Sequence, residues 1–301
     1  MVFLFTAVTS PFVVLFGPFN NVKRAVIGAI LQSRHPQYIT WLFSNDELQS
    51  ILGTVGVVKS QDLFKFNARE DKDLKLEKIE SSRYVGYVLE IPDPRRIQVA
   101  TAANIQEKGD TTSNIAKMNG AVAAINGGGF HDPNGTGTGR LPYGFILHEG
   151  DYIIGKDVGP DESVDFVGFS KSGNLIAGNY DKTELADMKA REGITFGPPL
   201  IVDGKKMITD GDGGWGVGPR TAIGQRKDGT VLFVVIDGRQ PGYSLGATLR
   251  DVQDVLYEKG AYIAANLDGG SSSTLYLNGK VVNKPADLLG ERMIPTAFIV
   301  K

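Results

Sequence analysis

Three stretches of this chain share one construction: two apolar runs joined by a polar residue and a glycine. They are "GFILHEGDYII", "PLIVDGKKMI" and "STLYLNGKVV". A fourth, "RKDGTVLFVVIDG", sets Asp-Gly before a long apolar run. Glu-Gly, Asp-Gly and Asn-Gly pairs between apolar runs predict tight hairpins, because both central residues of the favoured turn need positive φ. "YVGYVLEI" and "RRIQVATA" are further β-rich runs, split by "PDP". The chain must therefore build antiparallel strand pairs, and its 38 glycines fit many turns.

Helices interrupt these strands. Ala247 to Lys259 carries a stripe of Leu249, Val252, Val255 and Leu256, with Gly260 as its stop. Thr111 to Asn119 is a second. The expected class is α+β: mixed, largely antiparallel sheets with packed helices. "GAVAAINGGG" from Gly120 and "GAYIAANLDGG" from Gly260 coincide at an offset of 140, including Asn126 with Asn266 and Gly129 with Gly269. Each follows a helix and precedes a hairpin. Two pseudo-repeated helix–strand–hairpin halves are the expectation, with chance likeness of glycine-rich stretches as the competing reading. If the repeat holds, Asn126 and Asp268 line one cleft.

Val2 to Phe19 contains no charged residue and includes Pro11. This predicts a signal anchor, against a buried helix, although Lys23 and Arg24 follow the run rather than precede it. Residues Asn20 to Leu52 read as helical, with Ser44 or Asn45 capping a short helix, Asp46 and Glu47 in its first turn and Gly53 ending it. The expected organisation is residues 1–52 as membrane anchor and helical stalk, 53–82 as a charged linker in which "LKLEKI" also reads as a strand, and 83–301 as the functional domain. That domain is placed outside the cytoplasm.

Net charge is −2, which gives no basic surface for nucleic acid. There are no cysteines, so disulfides and zinc thiolates are excluded. "GGSSST" lacks the final glycine of a hydrolase elbow, and only His35, His131 and His148 could serve a serine. "ITDGDGGWG" resembles half a calcium loop without its distal glutamate. No nucleotide loop is present. Neither a metal nor a cofactor is expected.

What remains is charge at strand ends. Asp237 follows "VLFVVI" and Asp268 follows "AYIAANL". Arg220 precedes an apparent strand, and Arg239 lies two residues after Asp237. Paired carboxylates suit glycoside cleavage and arginine forks suit phosphate. Each alone reads first as a turn cap or ion pair; together they suggest a sugar–phosphate site.

"AAINGGGF", "GPPLIVDGK", "GPRTAIG", "VVIDGRQ" and "AANLDGGSSSTLYLNG" occur in this order. They closely resemble the phosphodiester glycosidase family, over residues 83–301, in its bacterial exopolysaccharide branch. The resemblance implies cleavage of a sugar C1–O bond whose leaving group is a phosphate ester, with a GlcNAc-1-phospho-sugar as substrate. It implies Asp268 as nucleophile or base and Asp237 as the second carboxylate. Arg220 and Arg239 would bind phosphate. Asn126 and the backbone of Gly127, Gly128, Gly269, Gly270, Ser271 and Ser272 would hold sugar hydroxyls and phosphate oxygens. His131 is a candidate proton carrier or a surface histidine; Tyr243 and Trp215 stack on a sugar or fill space. A non-catalytic glycan-binding or assembly protein, and a metal-dependent phosphodiesterase, are the alternatives.

Overall fold

The computed structural model describes residues 2–31, 37–44, 47–48, 51, 59–60, 63–67, 70–131, 137–156 and 158–301. Three antiparallel sheets make the body. The largest has seven strands, in spatial order Lys75–Glu80, Val85–Ile91, Val231–Ile236, Arg220–Arg226, Ala261–Leu267, Pro199–Val202 and Lys205–Lys206. A second orders Lys280–Val281, Leu275–Leu277, Ala123–Asn126, Thr296–Val300 and Ile97–Thr101. The third orders Asp151–Ile154, Ile146–His148, Ala190–Thr195, Val164–Ser170 and Leu175–Tyr180.

All three expected hairpins form, and the Asp228–Gly229 turn before the long apolar run closes a fourth. At three of them both turn residues have positive φ: Glu149 and Gly150 at 52° and 90°, Asp203 and Gly204 at 51° and 75°, Asn278 and Gly279 at 48° and 89°. The glycine follows a residue that tolerates the left-handed region or is forced into it by the hairpin.

Strand Val231–Ile236 is buried throughout because both its faces are covered. Val231, Phe233 and Val235 point into a core shared by all three sheets, with Leu89, Val99, Val167, Ile194, Ile263 and Phe298. Leu232, Val234 and Ile236 meet Leu249, Val252 and Leu256 of helix Leu249–Glu258. Thr248 caps this helix reciprocally with Asp251. Helix Thr112–Met118 covers the second sheet, setting Ile115 and Ala116 against Ala124, Ala297 and Ile299; the small residues allow that close approach.

Both halves of the expected repeat appear as helix, strand, loop and hairpin. Strand Ala123–Asn126 lies in the second sheet and Ala261–Leu267 in the first. Residues Lys75–Glu80, expected within the linker, form an edge strand paired with Val85–Ile91, so the boundary at residue 83 falls inside a hairpin. Near the N-terminus lie helices Val2–Phe16, Asn20–Leu31 and Gln37–Thr40. Among the described residues no helix is long and apolar enough to cross a membrane. Ser44 Oγ accepts from Glu47 N, as a cap does; Asn45, Asp46 and Gly53 lie outside the described residues.

Candidate active site

Antiparallel pairing brings three strand ends to one edge of the large sheet. Arg220 opens the strand between the one that ends at Ile236 and the one that ends at Leu267. Asp237 and Asp268 leave the sheet on either side of it. Asn126 reaches the same place from the second sheet. Its Oδ1 accepts from Thr221 Oγ1 at 2.7 Å and Thr274 N at 3.1 Å, while Nδ2 donates to Asp268 O at 2.6 Å. Asp268 N donates back to Gly127 O at 3.1 Å. Asn126 and Asp268 therefore meet as expected.

The meeting changes the role of Asn126. It is fully buried, and both Oδ1 lone pairs are taken. It braces Asp268 and leaves sugar hydroxyls to other groups. The glycine backbones are committed as well. Gly127 N donates to Thr296 O and Gly128 N to Thr296 Oγ1. Gly270 N donates to Pro219 O, and Ser272 N to Gly269 O. These loops are closed turns, so an oxyanion cradle built from those amides is not what the fold provides.

Asp268 is half-buried. Burial raises its carboxyl from the usual 3.8 to about 6, against the pull of Ser272, Arg292, the Gly269 amide and Arg239. The Ser272 hydroxyl faces this carboxylate but meets hydrogen-bond geometry with no described residue. Asp268 can thus exchange a proton near neutral pH beside two guanidinium groups.

Arg239 is exposed and holds a left-handed φ of 59°. Such strain in a non-glycine residue persists only where its surroundings impose it, here through Arg239 N donating to Leu245 O. Its guanidinium lies against Gly270, with Nη1 and Nη2 3.4 Å from the position a Cβ would take there. Arg292 comes from the loop before the last strand. Its Nη1 donates to Ser271 Oγ at 3.4 Å, and its guanidinium lies 4.9 Å from the Phe130 ring centre.

Arg220 and Asp237 depart from expectation. Arg220 is only 4% exposed. Its Nε donates to Ala247 O and its Nη2 to Trp215 O and Gly216 O. Burial, with Arg239 nearby, pulls its ionisation down to about 10, so it stays charged at neutral pH while holding three carbonyls. Asp237 is 1% exposed. Its Oδ1 accepts from Asn283 Nδ2 and Lys284 N, and its Oδ2 from Tyr243 OH. Burial raises its pKa while these three donors oppose the rise. Asn283 also grips Ser273 O and Leu275 N. Asp237 thereby anchors the turn after Asp268 from behind. Tyr243 has Lys284 Nζ 3.9 Å from its ring centre, which covers one face of the ring.

Beside Asp268 opens a hollow of about 490 Å³, lined by Tyr143, Asp165, Thr195, Phe196, Gly197, Pro198, Gly213 and Trp215. Burial raises the Tyr143 pKa, and the Asp268 charge adds to the rise, which ties the hollow to the carboxylate. Phe196 meets Trp215 edge-on at 5.9 Å, and His131, at the surface, meets Tyr143 at 4.4 Å. Trp215 lines the hollow and also packs against the core that includes Leu249 and Ile208, so it keeps both of the roles read for it from the sequence. Tyr143, Asp165, Phe196 and Arg292 were not singled out from the sequence. Phe196 sits directly before "GPPLIVDGK", and Arg292 a few residues before the last strand; nearness to the motifs was their only signal. Among the described residues no group of three or more His, Cys, Asp or Glu side chains could hold a metal.

An acid–base carboxylate, flanking cations and an aromatic hollow make a site suited to hydrolysis of an anionic sugar derivative. Residues 119–301 match the phosphodiester glycosidase family, and the chain belongs to it. An uncharacterised SPbeta prophage-derived protein, YomE, of Bacillus subtilis is 32% identical over 63% of this chain and 29% of its own length. The N-acetylglucosamine-1-phosphodiester alpha-N-acetylglucosaminidase of Bos taurus is 25% identical over 61% of this chain and 36% of its own. The chain thus spans about a third of the length of the curated relatives it matches. The solved catalytic domain of the zebrafish enzyme of that name, auto-inhibited by its pro-peptide, shares the fold: TM-score 0.64, 21% identity, 79% of this chain and 86% of that one.

Proposed function

We propose that this chain hydrolyses a GlcNAc-1-phosphodiester at the sugar C1–O bond, releasing free GlcNAc and a phosphomonoester. The observation that carries the proposal is Asp268: a carboxylate raised to about 6, with Arg239 and Arg292 in its field, beside an aromatic hollow. The sugar ring lies in the hollow against Trp215 and Tyr143. The phosphate faces Arg239, Arg292 and Ser271. As the C1–O bond breaks, its electron pair leaves on the phosphate, and the two guanidinium groups stabilise that charge. Ionised Asp268 stabilises the positive C1 centre, as nucleophile or as the base that takes a proton from the incoming water. A phosphomonoester departs with little protonation, so a strong general acid is not required. Asp237, Arg220 and Asn126 act one layer behind, fixing the turn that carries Asp268.

The proposal extends the substrate class to cell-wall or exopolysaccharide glycans outside the cytoplasm. The deciding experiment supplies a GlcNAc-1-phospho-sugar diester in isotope-labelled water. Free GlcNAc with the label on C1 is expected. Label in the phosphate would mean P–O cleavage by a phosphodiesterase. Glycan binding without release, in folded protein, would mean a non-catalytic protein.

A further inference from the structure

Tyr143, Phe196 and Trp215 wall the hollow beside Asp268, and among the described residues that line it none is a lysine or an arginine. Its one charged lining group is Asp165. Arg239 and Arg292 stand instead in the field of Asp268. A substrate lying across the site therefore meets opposite charges: guanidinium groups at its phosphate and a carboxylate beside its sugar.

Asp165 is exposed on strand Val164–Ser170 of the third sheet, whereas Asp268 leaves the first. Two contacts fix Asp165 relative to the aromatic wall. Phe196 N donates to Asp165 O at 2.8 Å. Asn179, its partner across the hairpin, donates from Nδ2 to Oδ1 at 3.1 Å. The other carboxylate oxygen, Oδ2, is held by no described residue. It faces Gly197, where an added Cβ would stand 3.3 Å from it. The absence of a side chain at Gly197 leaves that oxygen open to the hollow. Thr195, on the neighbouring strand, is already spent: its Oγ1 accepts from Phe145 N at 3.0 Å and donates to Phe145 O at 3.3 Å.

We propose that Asp165 selects the sugar, accepting hydrogen bonds from the hydroxyls at the ring edge remote from C1, centred on O4. The proposal rests on the placing of the sugar ring in the hollow described above. The C–H face of the ring packs on the aromatic side chains while its far edge meets the carboxylate. A hydroxyl bonded to a charged acceptor contributes more than one bonded to a neutral acceptor, so a sugar whose far hydroxyl is missing or carries a further glycan is bound poorly. A uronic acid or a 6-phosphate would set a second negative charge against Asp165 with no lining cation to offset it, and is refused. The substrate class narrows to diesters whose sugar is neutral and chain-terminal.

The test titrates methyl α-N-acetylglucosaminide, which carries no phosphate, into the full chain and reads binding by NMR shifts. Wild type should bind it. Asp165→Ala should bind it at least about tenfold more weakly, the scale of one hydrogen bond to a charged group. The 4-deoxy analogue should suffer the same loss on wild type, yet bind Asp165→Ala no more weakly than the parent sugar does, since that pair is already broken. The corresponding methyl glycoside of N-acetylglucosaminuronic acid should bind wild type at least about tenfold more weakly than the neutral sugar, and Asp165→Asn should narrow that gap. Unchanged circular dichroism and thermal midpoints show that the variants are folded. Should Asp165→Ala fail to fold, Asp165→Asn, which keeps the shape of the side chain, carries the test. Wild type that ignores the neutral sugar overturns the proposal, as does Asp165→Ala that binds like wild type, a 4-deoxy sugar bound at full strength, or an acidic sugar bound as well as the neutral one. GlcNAc release separates the two readings. Sugar binding that depends on Asp165, without release from the diester, overturns hydrolysis and keeps the selection of sugar. Release with kcat/KM unaltered in Asp165→Ala keeps hydrolysis and overturns the selection.

Discussion

Asp268→Asn should make the protein more stable while removing its activity. A carboxyl that protonates at about 6 in the folded chain, and at 3.8 when unfolded, is held in its costly form at neutral pH. At 1.36 kcal/mol for each pH unit the ceiling on that cost is about 3 kcal/mol. The side chain keeps an opening to solvent, which screens it, so roughly 1–2 kcal/mol is expected. The sign follows from the raised folded-state value. Between about pH 4 and 6 the folded chain retains a proton that the unfolded chain has lost, so wild-type stability falls as pH rises through that window. Asparagine has no such dependence. Thermal unfolding of both proteins from pH 3.5 to 8 should therefore give coincident midpoints at the acid end. The midpoints should separate above pH 4, with the variant higher by roughly 2–4 °C for each kcal/mol beyond pH 6. GlcNAc release by the variant should be lost. A variant that is less stable at pH 7, or a gap that ignores pH, refutes the view of Asp268 as a strained carboxylate. Near-normal turnover refutes its catalytic assignment.

Three further substitutions separate binding from bracing. Arg292→Gln should lower kcat/KM by about a hundredfold, the scale of one lost oxyanion donor, with little change in unfolding midpoint. Arg220→Gln should act the other way round, destabilising the fold by about 2 kcal/mol because three buried carbonyls lose their donor; a purely kinetic effect would restore Arg220 to the phosphate. Gly127→Ala would set a Cβ 2.6 Å from Thr296 Oγ1 and 2.9 Å from Thr296 O. It should cost roughly 1–3 kcal/mol and depress turnover in denaturant-free buffer, since Gly127 O receives the Asp268 amide.

The hairpins were legible because a residue–glycine pair states its own backbone geometry, and the three expected ones formed. Beyond the hairpin of Ile146–His148 and Asp151–Ile154, the third sheet was not. Its central strand, Ala190–Thr195, reads "AREGIT", and adjacent charges argue against a buried strand. Glu192 is nevertheless fully buried, since Val99 N and His148 Nδ1 lie 2.7 and 2.9 Å from its Oε2. Those partners lie 93 and 44 residues away in sequence, where no local pattern can reveal them. The site divides in the same way. Asp268 could be read from the apolar run that ends beside it. The roles of Arg220 and Asp237 could not, because the groups that occupy them, Ala247 O and Asn283, arrive from distant segments. Arg292 and Asp165 escaped notice because each lies outside any strand end that flagged chemistry.

The amide of Asn126 has one more implication. It fastens Thr221 and Asp268 of one sheet to the end of a strand in another. The candidate centre therefore straddles a seam between two sheets, and opening that seam would undo it. Heat should extinguish turnover and native structure in one step, and any gating of substrate is left to the loops that carry Trp215 and Arg292.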